Sequence, residues 1–237
     1  MSTETNKELE VFGLTELKPG PLPIIPKTLW AELQEWLLAW RHADALREAG
    51  LMAPGGLLLY GPTGSGKTSL AQALLKYMGG RPGVIIEAHN ILTSGFGMSA
   101  RNLALAFAGA EAIGGLLVIE EVDALGISRY DNSASNSCAT EENKITIALM
   151  RHLEAATVPI IATTNFHGSL DPALLRRFEM QLEVPEADAK CRALILKKIL
   201  EAEPPEELVA LPLVRSIRLA HRMKRNAFIA AREARGA

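Results

Sequence analysis

One octapeptide constrains this chain more than any other feature. Gly61-Pro62-Thr63-Gly64-Ser65-Gly66-Lys67-Thr68 satisfies G-x-x-x-x-G-K-[ST] at every fixed position. An apolar run, Leu57-Leu58-Leu59-Tyr60, precedes it, and a helical pattern (Leu70, Leu74, Leu75, Met78) follows it. That strand–loop–helix context is what the motif needs in order to wrap a phosphate. Glycines let backbone N–H groups turn inward, and the helix beginning at Lys67 adds the positive end of its dipole. Lys67 is placed to reach the outer phosphates, and the Thr68 hydroxyl to ligate Mg²⁺. The phosphate-binding set is therefore Gly61, Pro62, Thr63, Gly64, Ser65, Gly66, Lys67, Thr68 and Ser69.

The rest of the chain supplies a fold for that loop. The pattern predicts strands at about 57–60, 83–87, 115–120, 157–164 and 180–184. Helices are predicted at about 28–49, 67–78, 99–113, 139–155 and 171–176, with Gly50 as the stop of the first. Near-continuous apolar strands alternating with helices indicate an α/β fold, a five-stranded parallel sheet with both faces covered in an αβα sandwich. The 48% hydrophobic share of the 237 residues is enough for such a core. Residues 1–26 are polar and then Pro-rich, and read as an N-terminal arm. Residues 27–185 read as the nucleotide-binding core, and 186–237 as a short, all-helical lid. No apolar run approaches the roughly 18 residues of a membrane span, so membrane insertion is not expected. Two cysteines and a polar N-terminus without a signal-peptide pattern predict the cytoplasm.

The run Leu116-Leu117-Val118-Ile119 ends in Glu120-Glu121. Carboxylates at the end of a buried strand are costly unless they meet a cation or polar ligand. In a parallel sheet that end is the ligand edge, so Glu120 and Glu121 are both expected to face the phosphate loop. Neighbouring strand residues point to opposite sides, so the two differ in role: one near Mg²⁺, one orienting an attacking water. The competing reading is a helix-capping cluster at Asp123.

With these motifs in place, the chain resembles an AAA+ ATPase of the classical AAA branch, a P-loop NTPase. The matching segments are Gly56–Gly61, Leu116–Leu125 (LLVIEEVDAL) and Pro159–Arg177 (PIIATTNFHGSLDPALLRR). The resemblance spans about residues 28–200. It implies ATP and Mg²⁺ as ligands, with Thr68 and Glu120 in the metal shell. It also implies Glu121 as the catalytic glutamate, Asn165 as the residue that positions water, and Arg176 and Arg177 as the arginine-finger segment. Glu120 stands where the family usually has Asp. The short Leu-Leu-Arg-Arg-Phe-Glu form is similar to the meiotic-clade members, such as spastin and katanin. Residues 20–26 are implied to lie beside the adenine. The resemblance further implies a homo-oligomeric ring, usually hexameric, that acts on a polypeptide substrate or adaptor through a central pore. Phe96, between Gly95 and Gly97, is the pore-loop candidate; its other reading is a core aromatic.

Charge leaves a second function open. Net charge is −2 overall, but residues 213–237 carry seven Lys or Arg against one Glu, +6. That stretch reads as a solvated helix face, a docking surface for the next subunit, or a nucleic-acid contact. The last would fit a nucleic-acid-associated AAA+ ATPase of the helicase-loader or transposition-regulator type.

Overall fold

A computed structural model describes residues 13–52, 54–92, 98–126 and 137–233. In chain order the elements are β1 (Thr15–Glu16), α1 (Lys27–Arg41), α2 (Ala43–Glu48), β2 (Gly56–Tyr60), α3 (Lys67–Leu75), β3 (Gly83–Glu87), α4 (Ala88–Ile91), α5 (Met98–Ala112) and β4 (Leu116–Glu120). Then follow α6 (Ser137–Ala155), β5 (Ile160–Thr164), α7 (Pro172–Leu175), β6 (Phe178–Glu183), α8 (Ala189–Leu200), α9 (Glu206–Val209) and α10 (Leu213–Glu233). Phe96 lies outside the described residues.

The strands form one sheet in the order β1-β3-β4-β5-β2-β6. Five run parallel, as the apolar runs predicted. The sixth, β1, pairs antiparallel with β3 at the edge through Thr15↔Ile85 and Glu16↔Val84. The expected five-stranded parallel sheet is thus a six-stranded mixed one. A two-residue strand of Thr and Glu carries too little pattern to be seen in sequence. Its flanks explain why it docks: Leu14 and Leu17 are both buried and enter opposite faces of the sheet.

The sheet separates two apolar cores by strict alternation. Leu57, Leu59, Leu116, Val118 and Ile161 face α1 and α3, where Leu33, Trp36, Trp40, Leu70 and Leu74 meet them. Leu58, Leu117, Ile119, Ile160 and Ala162 face α5 and α6, against Leu103, Phe107, Leu149 and Leu153. A period of two in strands buried on both faces produces this layering. The indoles of Trp36 and Trp40 both donate to the Gly55 carbonyl, at 3.0 and 3.3 Å, and so anchor α1 to the root of β2.

The predicted first helix is broken at His42 into α1 and α2. Its stop is as expected. Gly50 takes φ +71°, and Leu51 N–H reaches the Leu46 carbonyl at 2.9 Å in a Schellman closure. Strand β5 begins at Ile160, after Pro159, which has no N–H to give to a ladder. Helices α8, α9 and α10 hold a separate small core of Leu196, Leu208 and Ala220.

Candidate functional site

Five parallel strands place their C-terminal ends together, and the phosphate loop rises from the end of β2. Its glycines are strained in the way the motif requires. Gly61, Gly64 and Gly66 have φ of +143°, +80° and +98°, which L side chains rarely adopt. At Gly61 space is also missing: a Cβ there would lie 2.3 Å from the Val184 carbonyl oxygen. At Gly64 it would lie 2.1 Å from Val214, so α10 rests directly on the loop. We expect Gly61→Ala to lose about 2–4 kcal/mol of stability in a denaturant titration, from overpacking plus left-handed strain. A loss below 0.5 kcal/mol would contradict this placement of the loop.

Lys67 opens α3 and is buried. Its ammonium donates to the carbonyls of Gly61 and Pro62, both at 2.9 Å, and to Asn165 Oδ1 at 2.7 Å. Burial lowers its pKa from the usual 10.5, while Asp123 and Glu120 nearby oppose that shift. Three acceptors therefore hold the ammonium in the cleft, and a phosphate entering it would replace them as the counter-charge. Asn165, just past β5, is brought to Lys67. The Thr68 hydroxyl donates to Glu120 Oε1, joining the second residue of α3 to the end of β4. Ser65 Oγ is buried with no partner among the described residues, the kind of orphan that a bound oxyanion satisfies.

Glu121 follows β4 with φ +55° and ψ +46°, one of two non-glycine residues in the left-handed region among the described residues. Alternation along an ideal strand would send Glu120 and Glu121 to opposite sides. The left-handed turn instead brings both into the same cleft, lined by Thr63, Lys67, Thr68, Glu120, Glu121 and Asn165. A bulky residue held in that conformation costs about 1–3 kcal/mol and is characteristic of functional sites. Asp123 does not cap the short 3₁₀ turn that follows; it accepts from the Thr164 hydroxyl at 2.5 Å and ties the ends of β4 and β5 together.

Three cleft residues escaped the sequence reading. Glu87 ends β3 directly beside Glu120 in the register of β3 with β4. His89 pairs with it, Nε2 to Oε2 at 3.1 Å, and Thr163 completes the wall. The available signal was Glu87 itself, a charge ending an apolar strand as Glu120 does.

The polar cleft encloses about 540 Å³. A second, apolar cleft of about 700 Å³ adjoins it. Gly64, Gly66 and Ser69 line both. The walls of the apolar part come from Pro21 to Pro26 on one side and from Ile195 and Ile199 of α8 and Ile217 of α10 on the other. The two compartments together suit a ligand with an apolar, planar end and a polyanionic end.

The arginine pair is elsewhere. Phe178, at the start of β6, is in register with Gly56, at the start of β2. Arg176 and Arg177 precede it, so about five residues, or ~17 Å at ~3.3 Å per residue, separate them from the phosphate loop. Arg176 is exposed, and Arg177 forms an ion pair with Glu154 of α6.

Comparisons with known proteins agree with this geometry. The family model described as "ATPase family associated with various cellular activities (AAA)" matches residues 57–186, more than half of the chain. The proteasome-activating nucleotidase of Thermococcus gammatolerans is 33% identical over 175 residues, 70% of this chain and 43% of that protein. The ATP-dependent zinc metalloprotease FtsH 3 of Sphaerobacter thermophilus is 33% identical over 176 residues, 73% and 36%. The 26S proteasome regulatory subunit 6A of Saccharomyces cerevisiae is 33% identical over 168 residues, 68% and 38%. The chain spans less than half the length of these relatives. A phosphate loop on α3, an acidic strand end at Glu120–Glu121 and the match over 57–186 lead to one conclusion: the chain belongs to the AAA family of ATPases.

Proposed function

We propose that this ATPase works as a ring of identical subunits, in which Mg²⁺-dependent ATP hydrolysis drives the unfolding or remodelling of a polypeptide. ATP would lie with its triphosphate along Gly61–Thr68 and its adenine in the apolar cleft beside residues 21–26. Thr68 and Glu120 already touch and are the pair that would hold Mg²⁺, with phosphate oxygens and waters completing its octahedron. Bound there, the metal would neutralise charge on the outer phosphates. Glu121 is then the general base that orients water, and Asn165, fixed against Lys67, positions that water.

The observation that carries the ring is the site of the arginine pair. Arg176 and Arg177 stand ~17 Å from their own phosphate loop, at the opposite ends of the strands. An arginine finger at that position serves a neighbour's phosphates, where such a residue is worth about 10³–10⁵ in rate. Relatives named for activating the proteasome, for regulating it and for ATP-dependent proteolysis point to a polypeptide as what turnover acts on. Phe96 is the residue proposed to grip it. A cytoplasmic location is part of the same reading; among the described residues no helix is long and apolar enough to cross a membrane.

The test is ATP turnover with and without a permanently unfolded polypeptide. The reading predicts about two-fold or greater stimulation, lost in Phe96→Ala while basal turnover persists. Equal stimulation of wild type and Phe96→Ala would remove Phe96 from the proposal. No stimulation of either by any unfolded chain would remove the polypeptide.

A further inference from the structure

Helix α10 extends beyond the small core it shares with α8 and α9. Leu213, Ser216 and Ala220 are its buried side chains, and from His221 to Glu233 every described side chain is exposed. That is ~20 Å of helix at ~1.5 Å per residue. An isolated helix of this length is marginal in water, so a bound partner would stabilise it.

The exposed length carries one sign of charge. Residues 213–232 contain six Lys or Arg and no Asp or Glu. Lys224 turns back to Glu201. Arg218, Arg222, Arg225 and Arg232 do not. At about 100° per residue these four fall within about 80° of the helix circumference and spread along ~21 Å of its axis. They lie on the side opposite Leu213, Ser216 and Ala220, and among the described residues none has an ion-pair partner. Phe228 stands beside the row, between Arg225 and Arg232 along the axis, and is 66% exposed.

We propose that this face of α10 binds single-stranded nucleic acid, the four arginines on the phosphates of one strand and Phe228 stacked on a base. Guanidinium groups suit that task, because their fork pairs with two phosphate oxygens and they are weakly hydrated. A row this narrow tracks one backbone. An intact duplex keeps its base faces in the stack and leaves Phe228 nothing to stack on, whereas a single strand offers one at every nucleotide. The centre of a protein interface is depleted of charge, and here charge is the centre. A helix lying on a membrane needs a broad apolar face opposite its charges. Past Ala220 that side holds Met223, Ala227 and Ala230, which are mostly small.

The charge of the whole chain confines the contact to this helix. Residues 213–237 carry +6 of a net −2, so the other 212 residues carry −8 and repel a polyanion. The same helix begins at the nucleotide site: Val214 meets Gly64, and Ile217 lines the apolar cleft. A strand held along α10 is therefore one rigid element away from ATP. The site is separate from the loop proposed to grip a polypeptide and stands or falls independently of it.

The experiment is fluorescence anisotropy of a fluorescein-labelled oligothymidylate of about 20 nucleotides, titrated with the full chain at several salt concentrations. Four neutralised phosphates give a log–log salt slope of about −2.8 on a single strand, so binding is expected to weaken about 50-fold between ~0.05 and ~0.2 M salt. Arg222→Ala/Arg225→Ala is expected to halve that slope, to about −1.4. Phe228→Ala is expected to weaken binding about fivefold or more at every salt concentration and to leave the slope alone, since it removes stacking and no charge. Both variants should keep the wild-type helical circular dichroism and the ATP turnover measured without oligonucleotide. A wild-type chain that does not bind at low salt, or an unchanged slope in the arginine variant, would overturn the proposal. So would a duplex of the same length bound as tightly as the single strand with Phe228→Ala neutral, which would give the row to double-stranded DNA. A polyglutamate peptide that competes as well as unlabelled oligothymidylate would also overturn it and give the row to an acidic protein.

Discussion

Glu121→Gln is expected to bind ATP as tightly as the wild type and to hydrolyse it about 10²–10⁴-fold more slowly, the usual contribution of a positioned general base. The expectation follows from where the side chain sits. Glu121 is exposed to the polar cleft and makes no contact that holds the phosphate loop; those contacts belong to Lys67, Thr68, Asn165 and Glu120. Gln has the same length and branching, so the left-handed turn at this position, φ +55°, is strained no further. What is lost is basicity at the point where water would be deprotonated. Titration of a fluorescent ATP analogue separates binding from turnover. Glu120→Gln should behave differently, because Glu120 accepts from Thr68 and stands in the proposed metal shell; its loss should weaken the response to Mg²⁺ as well as turnover. A Glu121→Gln protein with the wild-type rate would remove Glu121 from the chemistry.

Much of this was legible in the sequence, for identifiable reasons. The strands over 83–87 and 116–120 read correctly because strands buried on both faces are unbroken apolar runs, and the phosphate loop read correctly because its glycines are demanded by backbone angles. Contact between Lys67 and Asn165, 98 residues apart, follows from two parallel strands ending at one edge. The misses have physical causes too. Strand β1 is specified by Leu14 and Leu17 on either side of it, not by its own two residues. That Glu120 and Glu121 both face the phosphate loop was expected; the left-handed residue that achieves it, Glu121, is what a strand pattern does not foresee. Glu87 enters the cleft through inter-strand register, which one sequence does not state, and His89 of α4 is held there by its pairing with Glu87. Residues 13–20 touch the fold at three buried points, Leu14, Leu17 and Gly20, the last with its N–H on the Gln72 carbonyl of α3 at 3.1 Å.

Lys67→Ala is expected to weaken ATP binding by on the order of 100-fold or more, through loss of the charge-assisted bonds to phosphate. The loss is larger than for an ordinary cation because of what remains. Without the ammonium, Glu87, Glu120 and Glu121 meet a polyanionic ligand with no buried lysine between them. The same variant is a probe of assembly, since it leaves Arg176 and Arg177 intact. On the proposed ring, Arg177→Ala would have the complementary defect: an intact phosphate cleft and no finger to lend.

Mixing these two inactive proteins tests the account most directly. If each cleft is completed by a neighbour, a one-to-one mixture of Lys67→Ala and Arg177→Ala subunits will hydrolyse ATP well above the sum of the two alone, because Lys67→Ala subunits supply the missing arginine to intact clefts. Turnover that stays at the sum of the separate rates, in mixtures shown by sedimentation to have co-assembled, would contradict it.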